Sequence, residues 1–273
     1  MNFEDDLTIL PVKPPPIDKK ITHHPTLPDV NKGACLVDVA KPRSGKTLRL
    51  VNYLQNPNFY QGKFDAVYIY SSTMSNGDDT ARFLYDEFGE TIYSEYSDHH
   101  LQSIIDYQDS IPKHQRPKIA LVFDDFIAFQ NINKNSLMFK IATSYRHHNI
   151  GLLLYNTQML KYVPPVVRAS ANYVILSQNS NQKQVEALAE EYGGTYGVDK
   201  FKELFATATS IPYGFLYLDL YGFTGDNNNP KAYSNFTRLL YEAPISYTKN
   251  KKHLNPDVKK DKLSPIPEED EDE

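Results

Sequence analysis

The 273-residue sequence has no tryptophan and a single cysteine, Cys35. One cysteine excludes an internal disulfide framework and any zinc site built on paired cysteines, and it suits a reducing compartment. No apolar run approaches the roughly 18 residues that a membrane-spanning helix requires. The opening MNFEDDLTIL is acidic and short of apolar residues, unlike a secretory signal, so no membrane partner is expected. An excess of basic charge is missing too. Net charge is −5, and taking away the six acidic residues Glu268 to Glu273 leaves +1. Such a body has no broad basic face with which to grip duplex DNA by charge alone, although a ring or channel can still concentrate a few lysines.

Hydrophobic residues make up 40% and charged residues 23%, the balance of an ordinary globular protein. Residues 1–32 read as an extended arm, with PVKPPP favouring open backbone. Residues 249–273 read as a disordered acidic tail, because their composition buries too little apolar surface to order itself. The stretch 33–248 between them reads as one domain. Candidate strands are CLVDV (35–39), AVYIYSS (66–72), IALVFDD (119–125), GLLLYNTQ (151–158) and YVILSQ (173–178), apolar without alternation, as in strands covered on both faces. Amphipathic segments at 47–55, 79–88, 101–107, 136–145 and 181–192 fall between them. Strand and helix in alternation predict an α/β fold with a mostly parallel sheet. Segments 213–222 and 233–241, joined by TGDNNNP, predict a β-hairpin at its edge.

The run CLVDV-AKPRSGKT-LRLVNYLQ has the order strand, loop, helix that a phosphate-binding loop requires. Ala40, Lys41, Pro42, Arg43, Ser44, Gly45, Lys46 and Thr47 would form it, with backbone N–H groups facing the phosphates of ATP. Lys46 would reach the terminal phosphates, and the Thr47 hydroxyl would ligate Mg²⁺. Gly45 keeps a side chain away from the anion. The usual pattern begins with glycine where Ala40 stands, a position that mainly starts the turn. KIALVFDDF then puts two carboxylates at the C-terminal tip of a buried strand, near the phosphate loop in a sheet of this kind. Asp124 would hold Mg²⁺ through water, and Asp125 would orient or deprotonate an attacking water. A third strand ends in Asn156, Thr157 and Gln158, an uncharged hydrogen-bonding end that suits a sensor of the γ-phosphate.

These pieces, together with SYRHHNIG ahead of the NTQ strand, resemble the FtsK/HerA superfamily of DNA-pumping ATPases. Within it they resemble the poxvirus-type genome-packaging ATPases of large DNA viruses, virophages and related elements. The likeness runs from about Gly33 to Ser177 and more weakly to Tyr241. It implies a RecA-like P-loop NTPase core in which the strand ending at Gln158 lies between the phosphate-loop strand and the FDD strand. It implies a ring of subunits, usually six, with ATP at their interfaces and an arginine finger supplied by the neighbour. Arg146 matches the finger's position, and Arg168 is a second candidate. The resemblance further implies double-stranded DNA and viral capsid or packaging proteins as partners, and the host cytoplasm or a viral assembly site as location. Asp125 stands where many relatives have Glu.

Two other classes fit the loop. A small-molecule kinase would gather arginines to clamp a second phosphorylated substrate, but the seven arginines here are scattered along the chain. A non-catalytic nucleotide-binding module of capsid assembly would have no need of Lys46, Thr47, Asp124 and Asp125 together.

Overall fold

Nine strands form one sheet, in the order β3-β2-β4-β5-β1-β6-β7-β8-β9. The computed structural model of the chain describes residues 22–74, 79–130, 132–224 and 229–243. PVKPPP and the acidic tail lie outside them. The strands are β1 (Ala34–Val39), β2 (Ala66–Ser71), β3 (Ile92–Tyr93), β4 (Ile119–Asp124), β5 (Ile150–Thr157), β6 (Tyr173–Ser177), β7 (Phe215–Asp219), β8 (Lys231–Ser234) and β9 (Arg238–Glu242). Strands β1 to β6 pair in parallel, and β6 to β9 antiparallel. All residues of β1, β4, β5 and β6 are buried, which is why their sequences are apolar runs rather than alternations. Strand β5 lies between β1 and β4, the order that the resemblance implied.

Helices cover both faces. On one face α1 (Lys46–Gln55) and α2 (Arg82–Phe88) pack Leu50, Tyr53, Leu54 and Leu84 against Leu36, Ile69, Val122 and Leu154 of the sheet. On the other, α3 (Asp98–Ser110), α4 (Leu137–Lys140), α5 (Pro165–Ser170), α6 (Gln182–Tyr192) and α7 (Val198–Ala208) bury residues such as Leu101, Met138, Val167, Leu188 and Phe201 against Val37, Phe123 and Leu153. Cys35 lies in β1 without exposure, and burial pushes its thiol up to about 12, so it has no thiolate chemistry to offer. Residues 22–32 lie against the sheet, where Leu27 and Val30 are buried. The Tyr60 hydroxyl donates to the Pro28 carbonyl at 2.6 Å, and the Asp29 N–H donates to the Tyr173 hydroxyl at 2.9 Å.

Two expectations need correction. Residues 136–145 do not form one helix: α4 has four residues and passes into 3₁₀ turns at Ile141–Thr143 and Tyr145–His148. The buried residues Met138, Ile141, Ala142 and Tyr145 keep helical spacing, but the backbone tightens after Lys140 into i→i+3 bonds, with the Ser144 N–H donating to the Ile141 carbonyl at 3.0 Å and the His147 N–H to the Ser144 carbonyl at 2.7 Å. The segment 233–241 is two strands, because Asn235 takes a left-handed backbone (φ 54°) and turns the chain from β8 into β9.

Asn172 locks the lower end of β1. Its side chain accepts from the Cys35 N–H at 2.7 Å and donates to the Gly33 carbonyl at 2.9 Å, at a position 4% exposed. Asn172→Leu keeps the size and strands both partners, so urea denaturation should show a loss of about 2 kcal/mol or more.

Candidate active site

The site grows from a row of polar residues at one level of the sheet. Ser71 of β2, Asp124 of β4, Asn156 of β5 and Asp38 of β1 are direct neighbours in the strand register. Each lies two residues beyond an apolar residue packed under α1 and α2 (Ile69, Val122, Leu154 and Leu36), so all four face that side. All are buried. Asp124 accepts from the Ser71 hydroxyl at 2.9 Å and from the Asn156 amide at 3.0 Å. Burial pushes the Asp124 carboxyl above its ordinary 3.8; Lys46 pulls it down and Asp125 pushes it further up.

Above this row the chain turns from β1 into the loop. Ala40 is buried and donates its N–H to the Thr157 carbonyl at 2.9 Å, so its methyl is accommodated without strain. Left-handed backbone occurs further along, at Arg43 (φ 66°) and Gly45 (φ 82°). Glycine is therefore needed at position 45 for backbone freedom as well as for access, and position 40 can spare it. Gly45 is the N-cap of α1, with no side-chain cap and no acidic residue in the first turn. The helix presents its N-terminal dipole and unfilled N–H groups at the loop.

Lys46 and Asp125 are brought together. The Lys46 ammonium hydrogen-bonds the Asp125 carboxylate in a buried pair. Asp125 is in the left-handed region (φ 45°), and its N–H donates to the Asn156 carbonyl at 3.1 Å. That turn ends β4 and aims the second aspartate back towards α1. Gln158 follows the last residue of β5, half-buried, one residue beyond the carbonyl that holds Ala40. Thr47 sits half-buried in the first turn of α1. Lys41 donates to the Ser180 hydroxyl at 2.9 Å, across the mouth of β6.

One pair escaped the sequence reading. Arg49, on α1, forms a two-pronged ion pair with Asp38, with both N–O distances 2.8 Å. The same guanidinium donates to the Ser44 carbonyl at 3.1 Å and to the Ser177 hydroxyl at 3.1 Å. It thereby ties the loop backbone to β1 and β6. The signal was present as an aspartate inside an apolar strand followed by an arginine one turn into the helix, but nothing local says that they meet.

The two candidate finger arginines differ. Arg168 forms an ion pair with Glu191 at 3.2 Å. Arg146 is exposed, has no salt bridge among the described residues and rests over the Tyr145 ring at 5.7 Å. Its stem lies over Gly33, where a Cβ would come within 2.7 Å of the Arg146 Cγ. Arg146 precedes β5, whereas Asp124, Asp125 and the phosphate loop lie at the opposite, C-terminal ends of the strands. Eight residues of strand separate the ends, about 26 Å.

The groups fit a nucleoside triphosphate with Mg²⁺. Thr47 and Asp124 offer the hard oxygen donors that Mg²⁺ prefers, and the Asn156 Oδ1 beside Asp124 is buried without a partner. No cluster of three or more His, Cys, Asp or Glu able to hold a metal occurs among the described residues, so phosphate and water would have to complete the coordination.

No family model matches the sequence, and no curated protein matches it. Solved structures do match. The genome-packaging NTPase B204 of Sulfolobus turreted icosahedral virus 2, in complex with sulfate, superposes with a TM-score of 0.51 at 15% identity, over 74% of this chain and 96% of B204. The same protein with ATP-gammaS, and B204 of Sulfolobus turreted icosahedral virus, described as its DNA-packaging ATPase, each give 0.50 at 18% identity, over 72% of this chain and 95% of theirs. At these identities the likeness is one of fold, and the fold is that of a P-loop NTPase. No helix among the described residues is long and apolar enough to cross a membrane.

Two outcomes are expected. Asp38→Leu leaves Arg49 buried without its partner and should cost about 3–5 kcal/mol in urea denaturation, most of it regained in Asp38→Leu/Arg49→Met. Asp124 has a folded pKa above its unfolded one, so its ionisation costs stability as pH rises from 3.8 through the folded value. Asp124→Asn removes that cost. At pH 7 the variant should melt no lower than wild type, with the advantage gone near pH 3.8, while ATP and Mg²⁺ should no longer raise its melting temperature.

Proposed function

We propose that this chain is an ATPase that works as a ring-forming motor on double-stranded DNA, packaging a viral genome into its capsid. The observation that carries the reading is the convergence of the uncapped α1 N-terminus, Lys46, Thr47, Asp124 and Asp125 at one end of the sheet. The likeness in fold to B204, a genome-packaging NTPase, supports the choice among P-loop functions.

In this reading the loop N–H groups and Lys46 hold the phosphates, while Thr47 and Asp124 hold Mg²⁺, which would offset charge on the transferring phosphoryl. Asp125 orients the attacking water and takes its proton. Gln158, at the tip of the strand between loop and acids, reports the γ-phosphate. Arg146 stabilises the transition state in the site of the next subunit. Its distance from its own phosphate loop supports action in trans, and its lack of an ion-pair partner leaves the guanidinium available. Arg168 is engaged with Glu191 and is the weaker choice.

ATP hydrolysis with and without long duplex DNA tests the motor. Wild type should be stimulated by DNA and Lys46→Ala should be inactive; hydrolysis indifferent to DNA would overturn the motor reading. Arg146→Ala should lower turnover by about 10³-fold. Mixing Arg146→Ala with Lys46→Ala subunits should restore a measurable fraction, because some interfaces then pair an intact loop with an intact finger. A mixture as inactive as its parts would remove Arg146 from that role.

A further inference from the structure

On the side of β1 away from Asp124, a slot of about 180 Å³ opens beside the phosphate loop. Ser44, Gly45 and Leu48 form one wall, and Tyr213, Phe215 and Phe236 face them. Phe215 and Phe236 pack edge to face at 4.9 Å, and the Arg49 guanidinium lies 5.0 Å from the Phe215 ring. The floor is thus rigid, tied through Arg49 to the loop itself.

Tyr213 is the unexplained member. It is 70% exposed, the most open of the large hydrophobic side chains among the described residues, and its backbone is left-handed at φ 59°. A β-carbon at Gly45 would lie 3.5 Å from the Tyr213 Cδ1, so the ring stands at contact distance from the loop. The next residue holds it there. A Cβ at Gly214 would fall 2.5 Å from the Ala208 carbonyl, and the Gly214 N–H donates to the Ile211 carbonyl at 2.9 Å. Strained backbone that keeps an aromatic ring out of the core is a feature of ligand clamps.

We propose that the slot takes the purine ring of the bound nucleotide, with Tyr213 stacked on its face; this rests on the nucleotide reading above. A triphosphate with its terminal phosphate towards Asp124 must leave the loop on the opposite side, past Ser44, Gly45 and Leu48, where the slot begins. The polar groups on the slot are few. Arg49 is held by Asp38 and Ser177, and the Asn52 amide donates to the Leu48 carbonyl at 2.9 Å. Stacking therefore outweighs reading of the base edge, and purines should bind ahead of pyrimidines with little distinction between ATP and GTP.

The absence of tryptophan makes a direct test possible. Tyr213→Trp gives the chain one tryptophan at the slot. Its emission should change saturably with ATP-gammaS and Mg²⁺ and remain unchanged with inorganic tripolyphosphate. Tyr213→Ala should weaken ATP-gammaS by about tenfold and leave tripolyphosphate affinity as in wild type, while Tyr213→Phe should bind both normally. Equal ATP-gammaS affinity in Tyr213→Ala and wild type would overturn the slot alone, as would equal losses for both ligands. Wild type that binds neither ligand would overturn the nucleotide reading itself.

Discussion

Everything at the active end depends on the parallel register of β2, β4, β5 and β1. Because that register is fixed, Ser71, Asp124, Asn156 and Asp38 stand side by side on one face of the sheet. Buried polar groups must find partners or cost stability; Ser71, Asp124 and Asn156 find them sideways, across strands, and Asp38 finds Arg49 on α1. A one-residue slip would turn that strand's member of the row to the opposite face, breaking the Ser71–Asp124–Asn156 bonds if it occurred in β4 and the Asp38–Arg49 pair if in β1. The hydrophobic rows beneath prevent the slip, so ordinary core packing under α1 and α2 is what positions the chemistry.

Charge is arranged on this row in two unlike ways. Asp38 and Arg49 pair through two hydrogen bonds and act as structure, with the rest of the guanidinium joining the loop to β6. Asp124 has hydrogen bonds but no direct ion pair, and burial pushes its carboxyl up. Under the proposed reading, the carboxylate that would hold Mg²⁺ is not neutralised in advance by a direct ion pair. Stability is given up at that one residue, and the neighbouring pair does not share the cost.

Much of this was legible in the sequence, and the limits have a physical cause. The loop, the FDD end and the NTQ end are local: each combines a buried strand with the polar residues that follow it, so element and chemistry are read from the same few letters. The central order of β4, β5 and β1 came from the resemblance, and the strand pairing agrees. What stayed hidden depends on contact across the chain. Arg49 could not be matched to Asp38, nor Ser71 to Asp124, without the register. Arg146 stood ahead of Arg168 by resemblance, but only the fold places Glu191 beside Arg168. The segment 136–145 carries a helical pattern, yet its later hydrogen bonds tighten into short 3₁₀ turns.

The bond between Lys46 and Asp125 makes one ion pair the meeting point of two proposed tasks. Under the proposed mechanism the ammonium holds the phosphate and the carboxylate handles the water. A movement of either group would then be felt directly by the other. Binding and bond cleavage would be linked through two adjacent side chains, with no relay through the rest of the fold.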